Sequence, residues 1–255
     1  MKLQYVSDLH VEFLDKKDTK KLATSIMNAV PDASVLVLAG DIGNFSSDSL
    51  STFLDTIEPR YDKILYVFGN HEYYARSHST TSTKEDLLAF CETYSNLEVL
   101  DNRYIELNGK LIGGTTLWFD TCHPDALLNM RKLNDFQRIA GGWGYIREQE
   151  LAAELFIKNL LLDRVDLDLL ITHHGVTPKV HSKWEGSKVN IFFYKDIQDS
   201  LRYLNIPYVI HGHQHTNHDY AIRCERYELT QVLMNAKGYP HEQNNDFSVF
   251  KCIDL

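Results

Sequence analysis

Two runs, Val35-Leu36-Val37-Leu38 and Ile64-Leu65-Tyr66-Val67-Phe68, constrain the fold more than anything else in the chain. Each is too short and too apolar for a surface helix, so each reads as a strand buried on both faces. Leu3 to Val6 is a third strand candidate. Amphipathic stretches lie between them: Lys17 to Val30 places Leu22, Ile26 and Met27 on one helical face, and Asp48 to Ile57 reads as a second helix. Apolar strands alternating with helices indicate a parallel sheet covered on both sides.

All three strands end in residues suited to holding a metal. Asp8 and His10 follow the first, Gly40-Asp41 the second, and Gly69-Asn70-His71-Glu72 the third. Ligands of open α/β sheets bind beyond the carboxyl ends of the strands, so these clusters are expected to converge.

Further on, Val99-Leu100, Tyr104 to Leu107 and Leu111 to Thr115 read as strands, with turns at Asp101-Asn102 and Asn108-Gly109. Residues 118–145 form a partly irregular excursion. Ile146 to Leu162 is a strong helix candidate, Leu167 to Thr172 a strand ending at His173, Asp196 to Leu204 a helix, and Tyr208-Val209-Ile210 a strand ending at His211-Gly212-His213. From Asp219 onward the pattern alternates in the manner of antiparallel strands, which implies a second sheet packed on the first. Neither repeats nor a Pro/Gly-rich linker divide the chain, so residues 1–255 read as one domain.

The twelve histidines cluster: His173 is beside His174, and His211, His213, His215 and His218 fall close together. Solubility does not require this, nor does a core; metal binding accounts for it. Asp8-Leu9-His10 and His213-Gln214-His215 carry ligand types two residues apart, which alternation along a strand turns to one face. Imidazole with carboxylate suits Mn, Fe, Zn or Ni better than Ca or Mg. Asp41 has two oxygens with which to bridge two ions, and Asn70 offers a neutral carbonyl. Taken singly, Asp41 could be a helix cap, Asn70 a turn residue and His173 a core histidine. Their conjunction, each at the end of an expected strand, carries the weight.

Other readings fail on the same residues. A net charge of -9 argues against gripping a long nucleic acid, which needs neutralising cations. It leaves room for a small phosphorylated substrate, because bound metal ions reverse the local field. Cys91, Cys122, Cys224 and Cys252 form no CxxC pair and read as reduced thiols. A cysteine phosphatase would want Arg six residues after its nucleophile, where Cys91, Cys122 and Cys224 have Leu97, Leu128 and Thr230. With neither a signal peptide at the start nor an apolar run of membrane-spanning length, the expected location is cytoplasmic, away from membranes.

The order Asp8-x-His10, Gly40-Asp41-x-x-Asn44, Gly69-Asn70-His71-Glu72, His173-His174 and Gly212-His213-x-His215 resembles the calcineurin-like metallophosphoesterases. Asn235-Ala236-Lys237-Gly238-Tyr239-Pro240, Leu100-Asp101-Asn102 and Asn134-Asp135-Phe136 resemble a bacterial and phage branch of that superfamily. The resemblance implies a four-layer α/β/β/α sandwich of two mixed sheets flanked by helices, with two divalent ions at one edge, Mn foremost and Fe, Zn or Ni as alternatives. One ion would take Asp8, His10 and His215, the other Asn70, His173 and His213, with Asp41 bridging; His174 competes with His173. A metal-bridging hydroxide would attack phosphorus, Asp41 and His71 being the catalytic residues and His71 serving the leaving group. The expected reaction is hydrolysis of a small phosphodiester or nucleotide, with phosphomonoester hydrolysis or a non-catalytic metal-binding scaffold as alternatives.

One departure stands out. Several members of the superfamily carry an acid three residues after the bridging Asp, where it orients the catalytic His, and then an Arg. Here Asn44 and Phe45 occupy those positions. Substrate contacts are expected from Asn44, His174, Arg138, His181 and Lys237.

Overall fold

The computed structural model describes residues 1–74, 84–179, 186–225, 229–242 and 246–255. Eleven described strands form two sheets. The first sheet has the order β11-β1-β2-β3-β4, from Cys252–Asp254 (β11), Lys2–Val6 (β1), Val35–Ala39 (β2), Lys63–Val67 (β3) and Leu97–Val99 (β4). Its members run parallel except β11, which pairs antiparallel with β1. The second has the order β5-β6-β7-β8-β10-β9, from Arg103–Leu107 (β5), Lys110–Thr115 (β6), Leu169–Thr172 (β7), Tyr208–His211 (β8), Leu229–Met234 (β10) and Tyr220–Arg223 (β9). Here β6, β7, β8 and β10 are parallel, and β5 and β9 are antiparallel edges.

Alternation along the strands builds the layers. Val35, Val37 and Ala39 of β2 face inward and pack with Leu65, Ile112, Leu169, Ile171 and Ile210 between the two sheets. Leu36 and Leu38 face the other way, against Ala23 and Ile26 of α1 (Lys16–Ala29) and Leu50, Phe53 and Ile57 of α2 (Asp48–Ile57). The second sheet is covered similarly: Leu170, Val209 and Val232 pack with Ala153, Phe156 and Leu160 from the long helix Gly142–Leu162 and with Leu201 from Gln198–Tyr203. Both faces of each central strand are therefore buried, which is why β2 and β3 read as unbroken apolar runs. The four layers are helix, sheet, sheet, helix.

Two expectations need correction. The residues after Asp219 do not form one antiparallel run in the second sheet. β10 lies parallel to β8, and the chain then crosses back so that β11 closes the edge of the first sheet. Alternating hydrophobicity marks a half-buried strand but does not say which neighbour it pairs with. The helix Lys84–Cys91, absent from the sequence reading, covers β4 with Leu87 and Cys91. The excursion is mostly short helices, Pro124–Asn129, a 3-10 turn at Met130–Lys132, and Asp135–Arg138.

Glu150 ties this excursion to the second sheet's cover. Its buried carboxylate accepts from Lys195 Nζ at 2.6 Å, Arg147 Nη1 at 2.8 Å and the Thr121 amide at 3.1 Å. Burial works against the charge, but Lys195, Thr121 and Arg147 together hold the carboxyl below its ordinary range. A depressed folded-state value means that its stabilisation is present above the ordinary carboxylate range and lost as pH falls. Glu150→Gln is expected to cost about 1–3 kcal/mol near neutrality. Thermal melts of the variant should also show a shallower loss of stability on acidification.

Candidate metal centre

Five strand ends meet at the seam between the sheets: those of β1, β2 and β3 from the first, and of β7 and β8 from the second. The loops leaving them are unusual in their backbone. Asp8 (φ 52°), His10 (φ 49°), Asp41 (φ 53°), His213 (φ 68°) and His215 (φ 50°) all lie in the left-handed region. An L-residue there costs about 1–2 kcal/mol, and such strain concentrates at functional sites. The close approach also needs missing side chains. A Cβ on Gly69 would fall 2.2 Å from Asp41 Oδ1 and 2.7 Å from His173 Nε2; one on Gly40 would fall 2.2 Å from His173 Nδ1.

Among the described residues the side chains form three groups: His10, Glu12 and His71 make one, which shares His10 with the first of the other two, and those two share Asp41. Asp8, His10, Asp41 and His215 each bring a ligand atom within 4.8 Å of the others, and so do Asp41, His173 and His213. Asp41 divides its oxygens between them: Oδ2 is 3.8 Å from His10 Nε2, and Oδ1 is 3.4 Å from His173 Nε2. Asn70 joins the second group, its Oδ1 3.2 Å from His173 Nε2. Its amide nitrogen donates to Asp135 Oδ1 and Tyr74 Oη, both at 2.9 Å, which fixes the carbonyl toward the site.

Neighbouring groups set which nitrogen each ring presents. His10 Nδ1 lies 3.2 Å from Glu12 Oε1, and His215 Nδ1 lies 2.5 Å from Glu242 Oε2. His173 Nδ1 donates to the Ala39 carbonyl at 3.0 Å. In each case Nε2 faces inward, and the Nε2 atoms of His10 and His215 stand 3.0 Å apart. Metal-ligating histidines are oriented in this way, by giving the other ring proton to a carboxylate or carbonyl. His213 is reversed, its Nε2 donating to Phe192 O at 3.2 Å. The donor set is mixed imidazole, carboxylate and amide oxygen, and it fits Mn, Fe, Zn or Ni.

Electrostatics describe the same centre. Burial disfavours charge on Asp41, but His173 and His71 hold its carboxyl well below the ordinary range. Burial likewise opposes the charged forms of His215 and His173. The carboxylates of Asp8 and Glu242 outweigh it at His215, pushed up to about 10, and Asp41 does so at His173, pushed up to about 9. A divalent cation here would compete with those protons, since ligating imidazoles must be neutral.

His173 enters the second group; His174 stands behind it. The His174 ring is wholly buried, with its centroid 5.1 Å from that of Trp118 and 4.2 Å from that of His213, and Nδ1 3.1 Å from Thr116 O. It has no open face for substrate, which corrects that expectation. Asn44 is also otherwise engaged: Nδ2 donates to the carbonyls of His71 and Tyr74, and Oδ1 accepts from Ser46. Rather than pointing at a ligand, it braces the loop. Arg138 stacks over Tyr74 at 5.7 Å, and the Tyr74 ring centroid is 4.4 Å from that of His71. Arg138 is thus an exposed cation at the rim. Lys237 is half-buried, and burial pushes its ammonium down. His181 lies outside the described residues.

Sequence reasoning missed Glu12 and Glu242, the particular roles of Tyr239 and Asp135, and the depth of Glu72's involvement. Glu72 accepts from the amides of Asp41, Ile42, Gly43 and Gly69 and from Tyr66 Oη, so it joins the second and third strand loops. Burial and the Asp41 charge push its carboxyl up to about 7. A strap at 237–242 closes one flank: Lys237 N donates to Ser7 O, Gly238 N to Asp8 O, and Glu242 holds both His215 and Tyr239 N. The Tyr239 ring centroid lies 4.3 Å from that of His10 and 4.6 Å from that of His215. The spacing Asp8-x-His10-x-Glu12 was the available signal for Glu12. The motif Asn235 to Pro240 pointed to the first part of the strap, but nothing local announces Glu242.

The model of the family described as calcineurin-like phosphoesterase matches residues 1–217. The chain belongs to that family. As a calcineurin-like phosphoesterase it is 28% identical over 282 residues to an uncharacterized protein of Acanthamoeba polyphaga mimivirus, covering 99% of this chain and 96% of that one. The crystal structure of the TT1561 protein of Thermus thermophilus superposes with a TM-score of 0.57 at 10% identity, over 92% of this chain and 88% of that one. The latter likeness is one of fold. In this calcineurin-like phosphoesterase the strap falls beyond the matched residues, although it packs directly on the centre.

Proposed function

We propose that the protein hydrolyses a small phosphoester, a phosphodiester or nucleotide first, with two divalent ions, Mn foremost. The observation that carries this reading is Asp41, whose two oxygens face two separate ligand groups. Asp8, His10 and His215 would hold one ion, Asn70, His173 and His213 the other, and Asp41 both. When bound, such a pair supplies hydroxide near neutral pH and withdraws charge from phosphoryl oxygens. The chain's own residues do the rest. Glu12, Glu242 and Ala39 O keep the ring nitrogens turned inward; Asp135 keeps Asn70 turned; His71 stands beside the centre for the leaving group. Arg138 at the rim would meet a phosphate oxygen. The strap and the net charge of -9 both favour a small substrate over a long polyanion. No described helix is long and apolar enough to cross a membrane.

Metal analysis combined with a panel of mono- and diesters under Mn²⁺ tests the reading. Two ions per chain and turnover of at least one ester class are expected. Stripping the metal with a chelator should abolish turnover and lower the melting temperature. Ions at saturating concentration, about a hundred times their dissociation constant, contribute about 2.7 kcal/mol. Full metal occupancy with no turnover of any phosphoester would instead favour a metal-binding scaffold.

A further inference from the structure

Position 44, three residues after Asp41, holds an amide rather than an acid, and that amide is turned to main-chain carbonyls, among them His71 O at 3.3 Å. It braces the His71 backbone and gives the imidazole nothing. The ring has another partner. His71 Nδ1 lies 2.8 Å from Glu12 Oε1, and Nε2 lies 3.0 Å from Tyr239 Oη. Glu12 reaches the ring because of the local backbone. His10 is left-handed, a 3-10 turn follows at Val11–Phe13, and the turn is pinned by His10 N to Asp41 O (3.0 Å) and Val11 N to Ile42 O (2.9 Å). The turn places Glu12 Oε1 between two histidines, since the same oxygen lies 3.2 Å from His10 Nδ1.

We propose that Glu12 is the positioning residue of His71: it accepts a hydrogen bond from Nδ1–H, fixes the ring, and so aims Nε2 at the leaving-group side, where the Tyr239 hydroxyl stands. The acid missing at position 44 is supplied from the first strand loop instead of the second. This inference rests on the hydrolytic reading above. During turnover the P–O bond to the leaving group breaks with its electron pair on that oxygen. The oxygen takes a proton from the His71–Tyr239 pair, and solvent replaces that proton as product departs. Glu12 exchanges no proton; it sets the geometry.

The test uses Glu12→Ala, with Glu12→Asp as the conservative variant, in the full chain. Metal content is measured first, because Glu12 also touches His10. Turnover is then followed across aryl and alkyl phosphoesters of rising leaving-group pKa. A positioning role predicts a loss of about 10–100-fold for poor leaving groups, the usual scale for such outer partners. Nitrophenolate esters should lose little, and Glu12→Asp should recover part of the rate. At metal concentrations that bring all variants to the same metal content, which removes the contribution of Glu12 through His10, the Glu12→Ala change in a His71→Ala background should cost nothing further, since Glu12 and His71 then act as one unit. A second readout needs no turnover: ¹⁵N-resolved spectra of the metal-free protein should show a His71 Nδ1 proton protected from exchange, and Glu12→Ala should remove that protection. Equal losses across all leaving groups, or additive losses with His71→Ala, would overturn the proposal. If the unmodified protein turns over no ester, the hydrolytic reading fails, and the spectra alone decide whether Glu12 holds the ring; an unchanged His71 signal then overturns that too.

Discussion

Asp41→Ala is expected to strip the protein of both metal ions and of nearly all phosphoester hydrolysis. Oδ1 lies 3.4 Å from His173 Nε2 and accepts the His71 amide at 2.8 Å, while Oδ2 looks toward His10. No other described carboxylate belongs to both ligand groups, so its removal uncouples them. The expected loss in turnover is roughly 10⁴-fold or more, the scale set by a metal lowering the pKa of water from 15.7 to about 7. Asp41→Asn is the informative companion. It keeps a residue that tolerates the left-handed backbone, whereas alanine adds strain there. Both variants are checked by metal analysis and steady-state turnover. Two retained ions with unmodified turnover in Asp41→Ala would remove the bridging role altogether.

The largest effect on stability is expected from Glu72→Ala. Its carboxylate accepts from Asp41 N (3.0 Å), Ile42 N (2.7 Å), Gly69 N (2.7 Å) and Tyr66 Oη (2.7 Å), with Gly43 N at 3.3 Å. Alanine leaves these buried donors without an acceptor, each worth about 1–3 kcal/mol when orphaned. Relaxation and water entry will recover some of that, so a net loss of about 3–5 kcal/mol is expected. At about 2–4 °C per kcal/mol for a chain of this size, the melting temperature should fall by roughly 10 °C. Metal affinity should fall with it, because the same hydrogen bonds hold the Asp41 and Asn70 loops. Glu72→Gln retains one acceptor oxygen and should lose less. A melting temperature for Glu72→Ala within a degree of the unmodified protein would show that the loops are held by something else.

Much of the fold was legible because its signals are local. Val35–Ala39 and Lys63–Val67 are recognisable from burial on both faces, and α2 begins where Ser47 caps it, its hydroxyl accepting from Ser49 N at 3.2 Å. The convergence of Asp8, His10, Asp41, Asn70, His173, His213 and His215 was readable because each follows a parallel strand, and parallel strands point their ends the same way. What stayed hidden is long-range. Glu242 reaches His215, and Tyr239 reaches His71, across spans that no periodicity encodes. Asn44 was read as a phosphate contact from its place in a motif, but its orientation is decided by carbonyls some 30 residues away at His71 and Tyr74. β11 returns to β1 for a comparable reason: an edge strand's partner is a property of the assembled sheet.

The seam between the sheets has a consequence for how the molecule comes apart. Asp8, His10, Asp41 and Asn70 hang from one sheet, and His173, His213 and His215 from the other. Ions held by both sets would act as a clasp, fully engaged only after the halves have docked. The ligand sets are complete only when the sheets are together, so loading should slow separation of the sheets more than it speeds their assembly. Amide exchange at the apolar contact around Val37, Ile112 and Ile171 should then become the slowest in the loaded protein, and metal release should gate the opening of the molecule.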